Sequence, residues 1–303
     1  MDLREELSKL SLSELTSILL PVYEEKIKNL SPQQLLARYE TNKFTSPAEI
    51  SPEILNRISN DMFNIAKRSG AEPILLSPVE PLGTCAVVGP VSQHKILSSL
   101  RGTEVAADPT NMLALETALR IKKKTHKHPV DLCAVQRIVR TQPFEGDFRS
   151  HFSPFCRTTS SLDTGSYAFE KHAIYQHIRM YKDILHEILH AGIKVNIQAR
   201  KGYKHTHNLI TSVRDHLTDK LPDVYFTADH SESANNYYKG MQFYIIAVKD
   251  GNDIPVGEGG LTDWTQQLTG NKKERFLISG IGLDLLVKRG IIYEYESVVK
   301  GGK

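Results

Sequence analysis

Glycine and apolar residues alternate near the C-terminal end of this chain, and that pattern constrains its fold more than any other stretch. From Val256 the chain reads Val-Gly-Glu-Gly-Gly-Leu-Thr-Asp-Trp-Thr-Gln-Gln-Leu-Thr-Gly-Asn: a glycine pair, a polar turn and a short amphipathic piece. From Arg275 it reads Arg-Phe-Leu-Ile-Ser-Gly-Ile-Gly-Leu-Asp-Leu-Leu-Val, with Gly280 and Gly282 set between apolar residues. Such a run suits a strand that feeds a helix and exposes backbone to a ligand.

The rest of the chain alternates strands and helices. Residues 1–45 read as two or three short helices, opened by the capping box Ser11-Leu12-Ser13-Glu14 and by Ser31-Pro32. The stripe Leu15, Ile18 and Leu19 is expected to pack on the main body. A helix is expected over 52–68, with Ile54, Ile58, Met62 and Ile65 on one face. Strands are expected at 73–80, 84–88, 132–142, 150–158, 193–198 and 241–249, and helices at 112–124, 167–190 and 206–217. Ala191-Gly192 reads as a C-cap. Hairpins without strict β-α-β alternation point to an antiparallel or mixed sheet flanked by helices.

Composition sets outer bounds. The chain has 303 residues, 40% hydrophobic and 24% charged, so it can bury a large core. A net charge of +3 is too mild to argue for nucleic acid. The basic cluster at 122–128 reads as a solvated helix end. Three cysteines, Cys85, Cys133 and Cys156, suit buried small hydrophobes in a reducing compartment. The N-terminus has no apolar signal core and no apolar run approaches ~20 residues, so a cytoplasmic protein without a membrane span is expected.

With these elements in view, the 256–287 stretch resembles the end of the class II aminoacyl-tRNA synthetase core, the histidyl-tRNA synthetase branch in particular. That branch reads Gly-Gly-Arg-Tyr-Asp-Gly-Leu and then Gly-x-Gly-Leu-Glu-Arg-Leu. Gly259, Gly260, Asp263, Gly280, Gly282 and Leu283 match, Asp284 replaces the Glu, and Leu285 stands where the family has an ATP-gripping Arg. Val139-Arg140-Thr141-Gln142, a turn, and Arg149-Ser150-His151-Phe152 resemble the family's second signature. The resemblance implies Arg140 on the α-phosphate, as the catalytic residue, Arg149 on the γ-phosphate and Phe152 on adenine, with Gln142 in place of an acid. Asn235-Asn236-Tyr237-Tyr238-Lys239-Gly240-Met241-Gln242-Phe243 resembles the branch's Arg-Gly-Leu-Asp-Tyr-Tyr-Thr-Gly-x-x-Phe-Glu, shared with the regulatory subunit of ATP phosphoribosyltransferase. The family's catalytic Arg aligns with Ser233, and its amine-binding Glu with Thr110. The helix 52–68 with Ser77-Pro78-Val79-Glu80 resembles the first signature, which forms a dimer interface.

The departures carry weight. Replacing one phosphate-gripping Arg by an apolar residue typically removes ~10²–10³-fold in rate. Only another cation could restore adenylation, and Lys239 and Arg275 are the nearby candidates. A rival motif is His186-Glu187-Ile188-Leu189-His190, the His-Glu-x-x-His of zinc peptidases, although it lies in the last turn of its helix and lacks a third ligand at a familiar spacing. Histidines near a helix C-terminus are favoured by its dipole, which explains the pair without metal.

The fold expected is therefore α/β (α+β), a class II synthetase-like antiparallel sheet flanked by helices over 49–303. A small N-terminal helical appendage covers 1–48, and no anticodon-binding domain follows. The expected function is a histidyl-tRNA synthetase-like paralogue that does not charge tRNA. The resemblance implies a nucleotide site of Arg140, Gln142, Arg149, Phe152, Asp284, Gly280 and Gly282 for ATP and Mg, and leaves open an amino-acid-activating ligase for another acceptor. It implies a small amino-acid-like ligand against Thr110, Tyr237, Tyr238, Gly240, Gly259 and Gly260, with no residue assigned to a resident metal. A homodimer through 52–80 is expected. The alternative is a non-catalytic regulatory subunit or amino-acid sensor acting on a partner enzyme; the remote alternative is the zinc peptidase.

Overall fold

A computed structural model describes residues 2–124, 129–142, 150–233 and 237–289. The chain divides into two compact units. Unit 1 gathers residues 1–49, 77–107 and 138–151; unit 2 gathers 50–76, 108–137 and 152–303.

Unit 1 opens with three helices, α1 (Leu3–Ser8), α2 (Leu12–Ile27) and α3 (Pro32–Thr41). Both expected capping boxes form, Ser11 with Glu14 and Ser31 with Gln34. None of the three buries a residue fully, and Ile18 is 45% exposed, so the expected apolar stripe is not buried. In unit 2, α4 (Pro52–Arg68) matches the expected helix and buries Ile58, Met62 and Ile65. The strand expected at 73–80 is reduced to β1 (Glu72–Pro73) and, in unit 1, β2 (Val79–Pro81).

The strand expected at 84–88 is instead a helical turn, α5 (Thr84–Val87). A residue distant in sequence decides it. Buried Glu104, on β3 (Thr103–Val105), accepts from the amides of Gly83 at 2.8 Å and Cys85 at 3.0 Å, satisfying N–H groups that a strand would have offered to a ladder. Glu80, Cys85 and Glu104 are the group of potential metal ligands whose atoms converge, within 4.8 Å, among the described residues. Glu104 there acts as this cap and also accepts from Gln93 Nε2 at 2.8 Å.

Next come α6 (Pro109–Lys123), β4 (Val130–Val135), β5 (Ile138–Val139), β6 (His151–Phe152), β7 (Pro154–Leu162), α7 (Ala168–Leu189) and β8 (Gly192–Arg200). The chain continues with α8 (Thr206–Lys220), β9 (Tyr225–Ser233), β10 (Met241–Lys249), β11 (Asn252–Thr262), α9 (Trp264–Thr269), β12 (Glu274–Gly282) and α10 (Leu283–Lys288). The single strand expected over 132–142 is interrupted between β4 and β5. At the end of α7 the left-handed residue is His190, with φ 49°, and Gly192 already belongs to β8.

One eight-stranded sheet, in the order β1-β4-β7-β12-β11-β10-β8-β9, organises unit 2. Its pairs are antiparallel except β1 with β4 and β8 with β9. Alternation gives it two unlike faces. On β8, Ile193, Val195, Ile197 and Ala199 are buried, as are Met241, Phe243, Ile245 and Ala247 on β10; all belong to the main core with Ile174, Ile178 and Leu185 of α7 and Leu209 and Val213 of α8. The opposite face carries Asn196, Gln198, Arg200, Gln242, Tyr244 and Glu258. Among the described residues no helix is long and apolar enough to cross a membrane.

Candidate functional site

The polar face of the sheet meets the start of α6 at Asp108 and Thr110. Asp108 caps α6: its Oδ1 accepts from the Thr110 amide at 3.0 Å and from Thr110 Oγ1 at 2.7 Å. Its Oδ2 accepts from Tyr237 Oη at 2.7 Å, and Tyr237 Oη lies 3.3 Å from Thr110 Oγ1. The Tyr237 ring stands edge-on to Tyr238, with centroids 4.9 Å apart, and to Trp264 at 5.1 Å. Burial, and then the Asp108 charge, push the Tyr237 hydroxyl well above its ordinary pKa, so it remains a donor. Burial followed by Glu258 does the same for Tyr238, which donates to Glu258 Oε1 at 3.2 Å.

From Glu258 a row of side chains crosses the sheet. Gln242 Nε2 donates to Glu258 Oε2 at 2.8 Å, and Arg200 Nε donates to Gln242 Oε1 at 2.8 Å. Arg200 Nη2 also donates to Gln198 Oε1 at 2.6 Å and to Tyr244 Oη at 3.2 Å. The register explains the row. Gln242 pairs with Gln198 on one side and Gly260 on the other, and Arg200 pairs with Ser233.

The glycines shape this face by close packing. A Cβ at Gly260 would lie 2.5 Å from Met241 O and 2.5 Å from Tyr238 Cδ1, so the Tyr238 ring packs directly on bare backbone. Gly259 instead packs on the apolar face, where a Cβ would lie 2.4 Å from Phe243 Cζ. Gly240 has φ +71° and faces the Tyr203 ring, where a Cβ would approach to 2.6 Å. Gly280 backs onto Cys156, whose Sγ a Cβ would meet at 3.0 Å.

A second polar cluster surrounds Asp284, the first-turn acid of α10. Asp284 Oδ2 accepts from the Ser153 amide at 2.8 Å, and Oδ1 lies 3.4 Å from Arg137 Nη2. Gly282 precedes α10 as its N-cap, and Leu285 is half-buried. Phe152 is half-buried within unit 2. In unit 1, Arg140 Nε donates to Ala107 O at 3.0 Å and its amide to Ser150 O at 2.8 Å, while Gln142 is half-buried. Arg149 lies outside the described residues.

No protein-family model matches the chain, and no curated protein sequence matches it. Solved structures do match. An ATP phosphoribosyltransferase regulatory subunit/histidyl-tRNA synthetase from Bacillus halodurans aligns with TM-score 0.64 at 14% identity, over 82% of this chain and 82% of that one. Histidyl-tRNA synthetase of S. aureus aligns with TM-score 0.63 at 11% identity, over 82% of this chain and 73% of that one. The RNA-binding domain of a threonyl-tRNA synthetase from Cryptosporidium parvum aligns with TM-score 0.59 at 9% identity, over 82% and 68%. The fold is that of a class II aminoacyl-tRNA synthetase core.

Within this class II scaffold, Thr110, Tyr237 and Tyr238 come together in unit 2, with Gly260 beneath Tyr238. Asp108, Arg200, Gln242 and Glu258 join them, and the sequence motifs do not single them out as site residues. The readable signal is Asn196-x-Gln198-x-Arg200 alternating with apolar residues on one strand. In unit 2 the residues do not fit ATP and Mg as the class II family grips them. Leu285 offers no cation, and Asp284 is already held by Arg137 and an amide. Of the candidate replacements, Arg275 is bound to Asp163 and its Nε lies 3.6 Å from Glu170. The zinc-peptidase motif is not assembled as such a site: Glu187 is gripped by Arg68 Nη2 at 2.6 Å, and His190 has left the helix.

Proposed function

We propose that this chain is a histidyl-tRNA synthetase-like protein that holds a small amino-acid-like ligand on the polar face of its sheet and does not charge tRNA. The observation that carries this reading is the pairing of Asp108 with Tyr237 and of Glu258 with Tyr238 around Thr110. Two carboxylates, each held in orientation by a tyrosine hydroxyl, form a site for an ammonium group. Unlike the family's adenylation centre, this pocket requires no phosphate-gripping arginine at 233 or 285. Ligand binding would then serve regulation of a partner enzyme, a reading supported by the likeness to the Bacillus halodurans protein, which is named as a regulatory subunit. We place the protein in the cytoplasm as a homodimer through residues 52–80. A second reading, an amino-acid-activating ligase using ATP and Mg, draws support from Arg140 alone.

Calorimetric titration with the common α-amino acids, with and without ATP, tests the proposal. One amino acid should bind without ATP, and Tyr237→Phe should weaken it roughly tenfold, as loss of a hydrogen bond to a charged group implies. Binding of no amino acid under either condition would remove the reading.

A further inference from the structure

Arg200 is 7% exposed, and its guanidinium is held by neutral oxygens: Gln242 Oε1, Gln198 Oε1 and Tyr244 Oη. Among the described residues it forms no ion pair, and Nη1 makes no hydrogen bond. A charge taken from water without a counter-charge is costly, and proteins retain one where something else supplies the anion. Nη1 is not wholly buried and keeps some contact with solvent.

The neighbours of Arg200 keep its charge available. Each glutamine accepts from the guanidinium through Oε1 and anchors its own Nε2 on an acid, Gln242 on Glu258 at 2.8 Å and Gln198 on Asp229 at 3.5 Å. An amide orients a guanidinium without neutralising it; a carboxylate at either position would cancel the charge. Glu258 and Asp229 are both exposed, one amide away on either side. A planar fork with a free edge suits a carboxylate or phosphate oxygen.

We infer that Arg200 is an oxyanion-binding residue, whose Nη1 edge takes the carboxylate or phosphate oxygen of a small ligand seated on the polar sheet face. With Glu258 one side chain away, a ligand carrying both an ammonium and a carboxylate matches the charges in order. The identification of that anion as an amino-acid carboxylate rests on the function proposed above; the anion site itself does not.

The test is calorimetry on the wild-type chain with each common α-amino acid and its carboxamide, then with inorganic phosphate and pyrophosphate, repeated on Arg200→Gln and Arg200→Lys. The acid should bind about 10- to 100-fold more tightly than its carboxamide. That gap should vanish in Arg200→Gln and persist in part in Arg200→Lys. Phosphate or pyrophosphate binding that needs Arg200, with no amino acid bound, would uphold the anion site and remove the amino-acid reading. Equal binding of acid and carboxamide by the wild type overturns the inference without recourse to a variant. So does anion binding that is unchanged in Arg200→Gln, or no anion binding at all.

Discussion

Unit 2 buries two arginines in very different company. Arg157, on β7, is fully buried and bound on both forks by Asp131, at 2.9 and 2.7 Å, and it also donates to Ser69 O and Gln176 O. Arg200, on β8, is almost as buried but meets amide and phenol oxygens, with its acids held one side chain away. The first arrangement neutralises a charge inside the protein and ties β4, β7, α4 and α7 together. The second leaves charge directed at an open face. Burial alone does not separate a structural arginine from a binding one; the chemistry of the accepting oxygens does.

The largest expected effect follows from the closed pair. Arg157→Met leaves Asp131 without its guanidinium and should lower the unfolding free energy in urea by about 3–5 kcal/mol. A loss below about 1 kcal/mol would break the contrast. Next is Gly260→Ala, where the new methyl meets the Met241 carbonyl and the Tyr238 ring. The resulting strain should cost about 1–3 kcal/mol, and displacement of Tyr238 should weaken ligand binding in the same variant.

A pH effect comes third, on the Arg157 side of the comparison. His177 is buried, with Nδ1 2.7 Å from Ser279 Oγ and Nε2 2.9 Å from Thr159 Oγ1. Burial, and then the Arg157 charge, hold its pKa well below the ordinary value. The unfolded chain therefore binds this proton more readily than the folded one. Stability from this group is present above about pH 6.5 and declines as pH falls towards the folded pKa, by at most about 1.4 kcal/mol per pH unit. Denaturation curves between pH 7 and 5 should show this slope, and His177→Gln should flatten it. The smallest stability effect belongs to Arg200→Gln, about 1 kcal/mol or less, because relief of the buried charge's desolvation offsets the hydrogen bonds lost to Gln242, Gln198 and Tyr244. A stability loss equal to that of Arg157→Met would show both arginines to be structural and sharpen the case against an anion site.

Much of this architecture is legible in the sequence, for a physical reason. The 3.6-residue period of α4 and the boundaries of β10 depend on local patterning, and both match the sequence reading closely. The segment 84–88 reads as a strand but folds as a helical turn, because the cap that makes it helical, Glu104, lies nearly twenty residues downstream. In the site, Tyr237, Tyr238 and Thr110 stand out as parts of contiguous motifs. Arg200 does not, and Gln242 and Glu258, although they lie within quoted motifs, are not marked there as site residues, because the three become neighbours only through the register of three strands. Register is set by the packed core face, and nothing in the polar residues themselves announces it.

ATP–pyrophosphate exchange, run beside equilibrium binding of the same labelled amino acid, tests the central claim most directly. The account predicts an amino acid that binds without ATP, depends on Arg200, and supports no exchange. Exchange above background would show an adenylating enzyme and contradict it.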